Sequence, residues 1–201
     1  MHISEGVLSG PVLFTGAAIA AAGTAIGLKR LDYDKIARAG IISSVFFVAS
    51  LIHVPIGPSS VHLILNGIAG LLLGWGAFPA LLVALFLQSV IFQFGGITTL
   101  GINTVIMAAP AVICYYLFSS MLQKKPYITM PAAFAAGFLS VLLSAVLVGA
   151  ALMFTEEGFF NVAALVVAAH IPVMIIEGII TAFCIAFLKQ VQPEILAKSL
   201  A

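Results

Sequence analysis

The chain has 201 residues, of which 63% are hydrophobic and 7% charged, with a formal net charge of +1 and a mean hydropathy of +1.25. A soluble domain carries about 25% charged residues, so this chain has too little charge to clothe a water-facing surface and reads as an integral membrane protein. The near-neutral balance offers no basic field for nucleic acid, and Cys114 and Cys184 stand far apart in apolar runs without CxxC spacing, as small core residues do.

The opening "MHISEG" has no basic leader ahead of the apolar run that comes after it; the first basic residues, Lys29 and Arg30, lie beyond that run. A cleaved secretory signal is therefore not expected, and the terminus is expected to persist. Crossing about 30 Å of hydrocarbon takes about 20 apolar residues, fewer where neighbours or local thinning compensate. Candidate spans lie in order at residues 11–28, 36–53, 61–73, 78–94, 105–122, 131–154 and 160–188, the third short and glycine-rich. These predict an all-α, polytopic transmembrane bundle of about seven helices. No internal repeat of about 20–50 residues and no linker is visible, so residues 1–201 form one membrane domain: an outer segment at 1–10, the bundle at 11–188 and a cytoplasmic tail at 189–201. The first span carries Ala17, Ala21 and Ala25 at four-residue spacing, a small-residue face on which another helix can approach closely, in this chain or on a separate membrane subunit.

With the N-terminus outside, Lys29, Arg30, Lys35 and Arg38 fall in the first inner loop, Lys124 and Lys125 in the third, and Lys189 and Lys198 in the inner tail. All eight basic residues then lie inside. Glu5, Glu156 and Glu157 fall outside. Without the third span the two lysine clusters would sit on opposite sides, so the charges themselves argue for seven passes.

The same topology brings three of the four histidines to the outer face. His2 is at the terminus, His53 closes the second helix, and His62 opens the third after "VPIGPSS", where Pro55 and Pro58 stiffen a loop that Gly57 allows to turn. Imidazoles converging with a free amine point to a transition-metal site. Met1 and His2 form a chelator on their own: the α-amine, the His2 backbone nitrogen and His2 Nδ1 close a five- and a six-membered ring around one ion. One more imidazole completes four nitrogens, a planar set that suits Ni(II) or Cu(II) when the backbone nitrogen is deprotonated. The plain alternative is a chance cluster of structural histidines.

These residues also carry a family resemblance. "MHISEG", "HVPIGPSSVHLILNGIAGLLLG" at residues 53–74 and "FQFGGITTLGINT" at 92–104 resemble the substrate-capture component of cobalt and nickel energy-coupling-factor transporters, the CbiM/NikM family. The resemblance implies a helical membrane protein whose N-terminal segment plugs back into the bundle from outside. Its ligands for a substrate ion, Co2+ or Ni2+, would be the Met1 amine, the backbone nitrogen and imidazole of His2, and the His62 imidazole, with no other cofactor. The motif wording leans towards cobalt. It further implies a bacterial or archaeal inner-membrane location, a transmembrane coupling subunit, separate ATP-binding subunits and, in many such systems, a small accessory membrane subunit. His53 is favoured as the group that orients His62, with transit ligand and helix cap as alternatives. Ser59, Ser60 and Asn103 are polar groups that could accept the outer N–H of a ligating imidazole, or cap the third and fifth helices.

The chain itself has no GxxxxGK[ST] phosphate loop, so any ATP hydrolysis belongs to another polypeptide, and the protein is not expected to be an enzyme. HExxH is absent, which argues against an intramembrane metalloprotease. His170 and Glu177 lie seven residues apart on the last helix, two turns along one face, and ionisable residues at such depth are functional suspects. They are expected to satisfy one another or to meet a partner subunit; as a proton relay they would support the rival reading, a secondary transporter of a small organic solute.

Overall fold

In a computed structural model of the chain, the described residues are 2–51, 53–56 and 59–198; Met1 and the side chains of residues 34, 53–56, 59–61, 157 and 197–198 lie outside them. The described residues form nine helices and one hairpin: α1 Gly10–Arg30, α2 Tyr33–Ala49, β1 His53–Ile56, β2 Ser59–His62, α3 Asn66–Leu73, α4 Ala77–Phe92, α5 Leu100–Phe118, α6 Pro126–Met153, α7 Phe160–Ala169, α8 Ile171–Val191 and α9 Pro193–Lys198. The all-α class holds, and five stretches are long and apolar enough to cross a membrane by themselves: Gly10–Arg30, Asn66–Phe92, Leu100–Met121, Pro126–Met153 and Phe160–Val191.

One of these five is folded back on itself. Asn66 meets Met107, Gly70 meets Ala111 and Gly74 meets Tyr115, so α3 runs in step with α5 and in the same direction. The chain then reverses through a 3-10 turn at Gly74–Gly76, where Gly74 takes φ +55°, and α4 returns until Gln88 reaches Ser50 just past the end of α2. α2, at 17 residues, supplies a pass just shorter than a full span. α7 and α8 make one pass antiparallel to α6, with Ala163 against Gly149, Gly137 against the backbone of Glu177, and Lys189 bonded to Thr129. The chain thus changes direction as seven passes require.

The third pass differs from the helix expected at 61–73. It consists of the end of β2, a non-helical joint at 63–65 and an eight-residue helix. Likewise His53 opens β1 and does not close α2, which ends at Ala49. Proline disfavours helical geometry in the residue before it, so Val54-Pro55 keeps a helix from running on through His53, while pairing with β1 holds residues 61–62 in β2, and Leu65, at φ +52°, delays α3 to Asn66. The register of the hairpin pairs His53 with His62 across the strands.

Charge is segregated by end. Arg30 donates to the Tyr116 hydroxyl and lies 5.6 Å over the Trp75 ring, while Lys189 donates to the carbonyls of Leu122 (3.0 Å) and Lys124. One end of the bundle therefore gathers Arg30, Lys35, Lys124 and Lys189. His2, Gln88 and Asn103 lie towards the other.

Glycine sets how closely the passes approach. α1 packs through Gly16, Ala20, Gly23 and Gly27, against Ile102, Phe78 and the Trp75–Pro79 turn. The expected small-residue face of Ala17, Ala21 and Ala25 is instead exposed, although the Ala17 backbone still abuts Gly101. A Cβ at Gly70 would run into the Ala111 carbonyl, whereas one at Gly10 meets open space. Gly70→Ala is accordingly expected to cost about 1–3 kcal/mol by overpacking, read as a lowered Tm in detergent, with Gly10→Ala near wild type; equal Tm values would contradict this α3–α5 packing.

Candidate metal-binding site at the N-terminal segment

Residues 2–5 run into the bundle as an extended segment and are fastened there by side chains distant in sequence. Asn103, on the first turn of α5, grips Ile3 at both backbone groups: Ile3 N–H donates to Oδ1 (2.9 Å), and Nδ2 donates to the Ile3 carbonyl (3.0 Å). Glu5 N–H donates to the Gly95 carbonyl (3.1 Å), and the Glu5 carboxylate accepts from Thr98 N–H (3.0 Å). The Gly95-Gly96 pair makes this possible. Both have positive φ, and a side chain at Gly96 would occupy the place of the Glu5 side chain.

So fastened, His2 is 4% exposed and faces His62, 3% exposed, with His2 Nδ1 and His62 Nε2 3.0 Å apart. The surrounding bonds assign the protons. Ser50 Oγ donates to the Phe47 carbonyl (3.0 Å), so it accepts from Gln88 Nε2. That orients Gln88 with Oε1 towards His2 Nε2 (2.7 Å), which must be the donor. His62 Nδ1 in turn donates to the Leu63 carbonyl (2.7 Å). In neutral rings, the form that burial favours, both facing nitrogens then carry lone pairs.

Two lone pairs at that distance repel unless a proton or a cation lies between them. Metal–imidazole bonds of about 2.0–2.1 Å place two nitrogens about 2.9 Å apart at a right angle and about 3.3 Å apart at the tetrahedral angle. The spacing of 3.0 Å is close to the first. Among the described residues no group of three His, Cys, Asp or Glu side chains stands where it could hold one metal ion.

Of the residues singled out from the sequence, the structure brings together His2, His62 and Asn103. Met1 and the side chains of His53, Ser59 and Ser60 lie outside the described residues. Asn103 clasps the Ile3 backbone instead of serving an imidazole N–H, and Thr99 stands at the N-cap of α5. Gln88 is the site residue that sequence reasoning misses, although a lone amide in the apolar run "FPALLVALFLQSV" is a signal for it. Glu177 accepts from the backbone N–H groups of Ile64 and Leu65 and not from the His170 ring, and His170 Nδ1 donates to the Val166 carbonyl (2.6 Å). The expected His170–Glu177 pairing is thus replaced by bonds to backbone, and the proton-relay reading loses its footing.

Residues 2–195 match the family described as "CbiM: Cobalt uptake substrate-specific transmembrane region". The chain belongs to the CbiM family. A "Putative metal transport protein" of Haemophilus influenzae is 44% identical over 99% of this chain and 98% of its own length. The "Cobalt transport protein CbiM" of Sorangium cellulosum is 29% identical over 98% and 94%, respectively. A solved chain described as the crystal structure of a transition metal transporter superposes with a TM-score of 0.81 at 26% identity, covering 95% of this chain and 93% of that one. This CbiM-family chain is thus a multi-pass membrane protein of a cobalt and nickel transport family.

The Asn103 clasp has a direct consequence. Asn103→Ala leaves a buried donor and a buried acceptor of Ile3 without partners, at about 1–3 kcal/mol each. Hydrogen exchange at the Ile3 and Glu5 amides is expected to accelerate while α6 and α8 stay protected; unchanged exchange at Ile3 would contradict the clasp.

Proposed function

We propose that this protein is the substrate-capture subunit of an ATP-driven energy-coupling-factor importer, and that its substrate is a divalent transition-metal ion, Co2+ before Ni2+. The observation that carries this reading is the His2–His62 pair, buried, 3.0 Å apart and with its N–H groups directed away from the gap. The proposed ligands are the Met1 amine, the His2 backbone nitrogen, His2 Nδ1 and His62 Nε2. A right angle between the imidazole donors suits planar Ni(II) and the cis positions of an octahedral ion, and the preference for cobalt rests on the likeness of motifs.

The end bearing His2 is proposed to face outside and the end bearing Arg30, Lys124 and Lys189 the cytoplasm of a bacterial or archaeal inner membrane, which agrees with the positive-inside tendency. Capture strips water from the ion and closes residues 2–5 over it, with Asn103 and Glu5 as the fastenings. The subunit itself is not an enzyme. A separate ATP-binding subunit and a transmembrane coupling subunit, with a small accessory membrane subunit in some assemblies, supply energy and movement. The exposed face of Ala17, Ala21 and Ala25 is the proposed contact for such a partner helix.

Calorimetric titration of Ni(II) and Co(II) into detergent-purified protein tests this. Placing one Gly ahead of Met1 moves the amine while leaving both histidines, and is expected to weaken binding by about 100-fold or more, since even loss of a residue behind a ligand costs about 10–100-fold. Equal binding by both forms would remove the terminal amine from the site, and no binding by the native form would overturn the reading. Affinity is also expected to fall between pH 8 and 6 as amine and imidazoles, with ordinary pKa values of about 7.7–8.0 and 6.5, take up protons that compete with the metal. A flat profile contradicts these ligands.

A further inference from the structure

Among the described side chains Glu177 is the one buried carboxylate, and it lies on α8, far in sequence from the histidines. Its Oε1 accepts from Ile64 N–H (2.5 Å) and Leu65 N–H (2.9 Å), and its Oε2 also accepts from Leu65 N–H (3.0 Å). These amides belong to the joint between β2 and α3, where Leu65 takes φ +52°, a left-handed conformation unusual for a side chain of that size. On the far side of the joint, Asn66 Nδ2 donates to the Met107 carbonyl (3.1 Å) and Ser144 Oγ (3.0 Å), so α5 and α6 hold the first turn of α3.

The bond to Ile64 has a particular geometry. Leu63 C=O and Ile64 N–H are the two ends of a single peptide unit. The C=O accepts from His62 Nδ1–H at 2.7 Å, and the N–H donates to Glu177 Oε1. Imidazole, peptide and carboxylate therefore form one chain of hydrogen bonds, running from His62 through a rigid amide to α8. Ligating histidines commonly give their second N–H to a carboxylate directly, which fixes the ring and raises its basicity. Here a peptide stands between them, and polarisation passes along such chains.

We infer that Glu177 is the positioning residue for His62: through the Leu63–Ile64 peptide it fixes the ring so that Nε2 faces His2 with its lone pair, and it makes that nitrogen a better donor to the metal. The inference rests on the reading of His62 as a metal ligand. It also gives α8 a mechanical hold on the site, because displacement of Glu177 along the α6 face would pull the peptide that carries the His62 bond.

The test is calorimetric titration of Ni(II) into the full-length wild type, Glu177→Gln, His62→Ala and the double variant, with thermal unfolding of each apo form as the control for folding. Glu177→Gln keeps the volume but turns an amide N–H towards Leu65 N–H, and is expected to weaken binding by about 10–100-fold. In the His62→Ala background, where the terminal chelate alone supplies residual affinity, the same change is expected to have no further effect. Glu177→Asp, which keeps the charge but withdraws it by one methylene, is expected to weaken binding less, and serves if the Gln variant does not fold. Wild-type affinity in the folded Gln or Asp variant overturns the inference. So does an equal loss with and without His62, which would mark a general structural effect. Absence of binding by the wild type itself would instead overturn the functional reading on which the inference depends.

Discussion

Two imidazole nitrogens held 3.0 Å apart, each with its ring's N–H turned away into a bond with another acceptor, are the constraint around which this bundle is arranged. Neutral rings so oriented repel across the gap unless a proton or a cation lies between them, and other bonds fix both rings from behind. Gln88 and Ser50 hold His2 in a relay that ends at the Phe47 carbonyl, and the Leu63 carbonyl holds His62. Under the proposed function, a divalent cation bound by both nitrogens would replace that repulsion with attraction. That is preorganisation: the cost of aligning the donors is met by folding, before any ion arrives.

The bundle supplies this alignment by letting backbones come close. α3 lies against α5 and α6 through Gly70 and Gly67, which leaves its N-terminal joint deep enough to meet Glu177 on α8 and Met107 on α5. Within a bilayer there is no water to satisfy the exposed backbone of residues 63–65, so a non-helical joint is tolerable only where protein groups answer its N–H and C=O. Glu177 and the His62 ring give that answer. The N-terminal segment meets the same demand through Asn103 and Gly95.

Much of this architecture is legible in the sequence, for reasons that differ from element to element. The all-α class and the long apolar helices come from hydropathy, because a bilayer demands apolar stretches of about 20 residues that the chain records directly. His2, His53 and His62 stand out because imidazoles are few in so apolar a chain, and only the family resemblance singles out His62 from His53. The third pass reads wrongly as a helix from residue 61: hydropathy registers Val61, Leu63, Ile64 and Leu65 as apolar in any conformation, and registers neither the pairing of residues 61–62 with β1 nor the Glu177 bonds that hold Ile64 and Leu65 outside the helix. Of the two roles that Ala17, Ala21 and Ala25 allow, packing within the chain falls to another face of α1. Alanine and glycine stripes coexist on one helix, and Gly16, Gly23 and Gly27 prevail because Ile102 and Phe78 need the space that only glycine leaves. Gln88 and Glu177 cannot be paired with the histidines from sequence, since their partners lie 86 and 112–113 residues away and one of the links is a peptide bond.

Nickel K-edge X-ray absorption of the Ni(II)-loaded protein bears most directly on the central claim. The account predicts a shell of nitrogen donors with the multiple-scattering signature of two imidazole rings, reduced to one ring in His62→Ala. A shell of oxygens, or a signature of fewer than two imidazoles in the wild type, would contradict it, because the facing nitrogens of His2 and His62 would then not be where the ion binds.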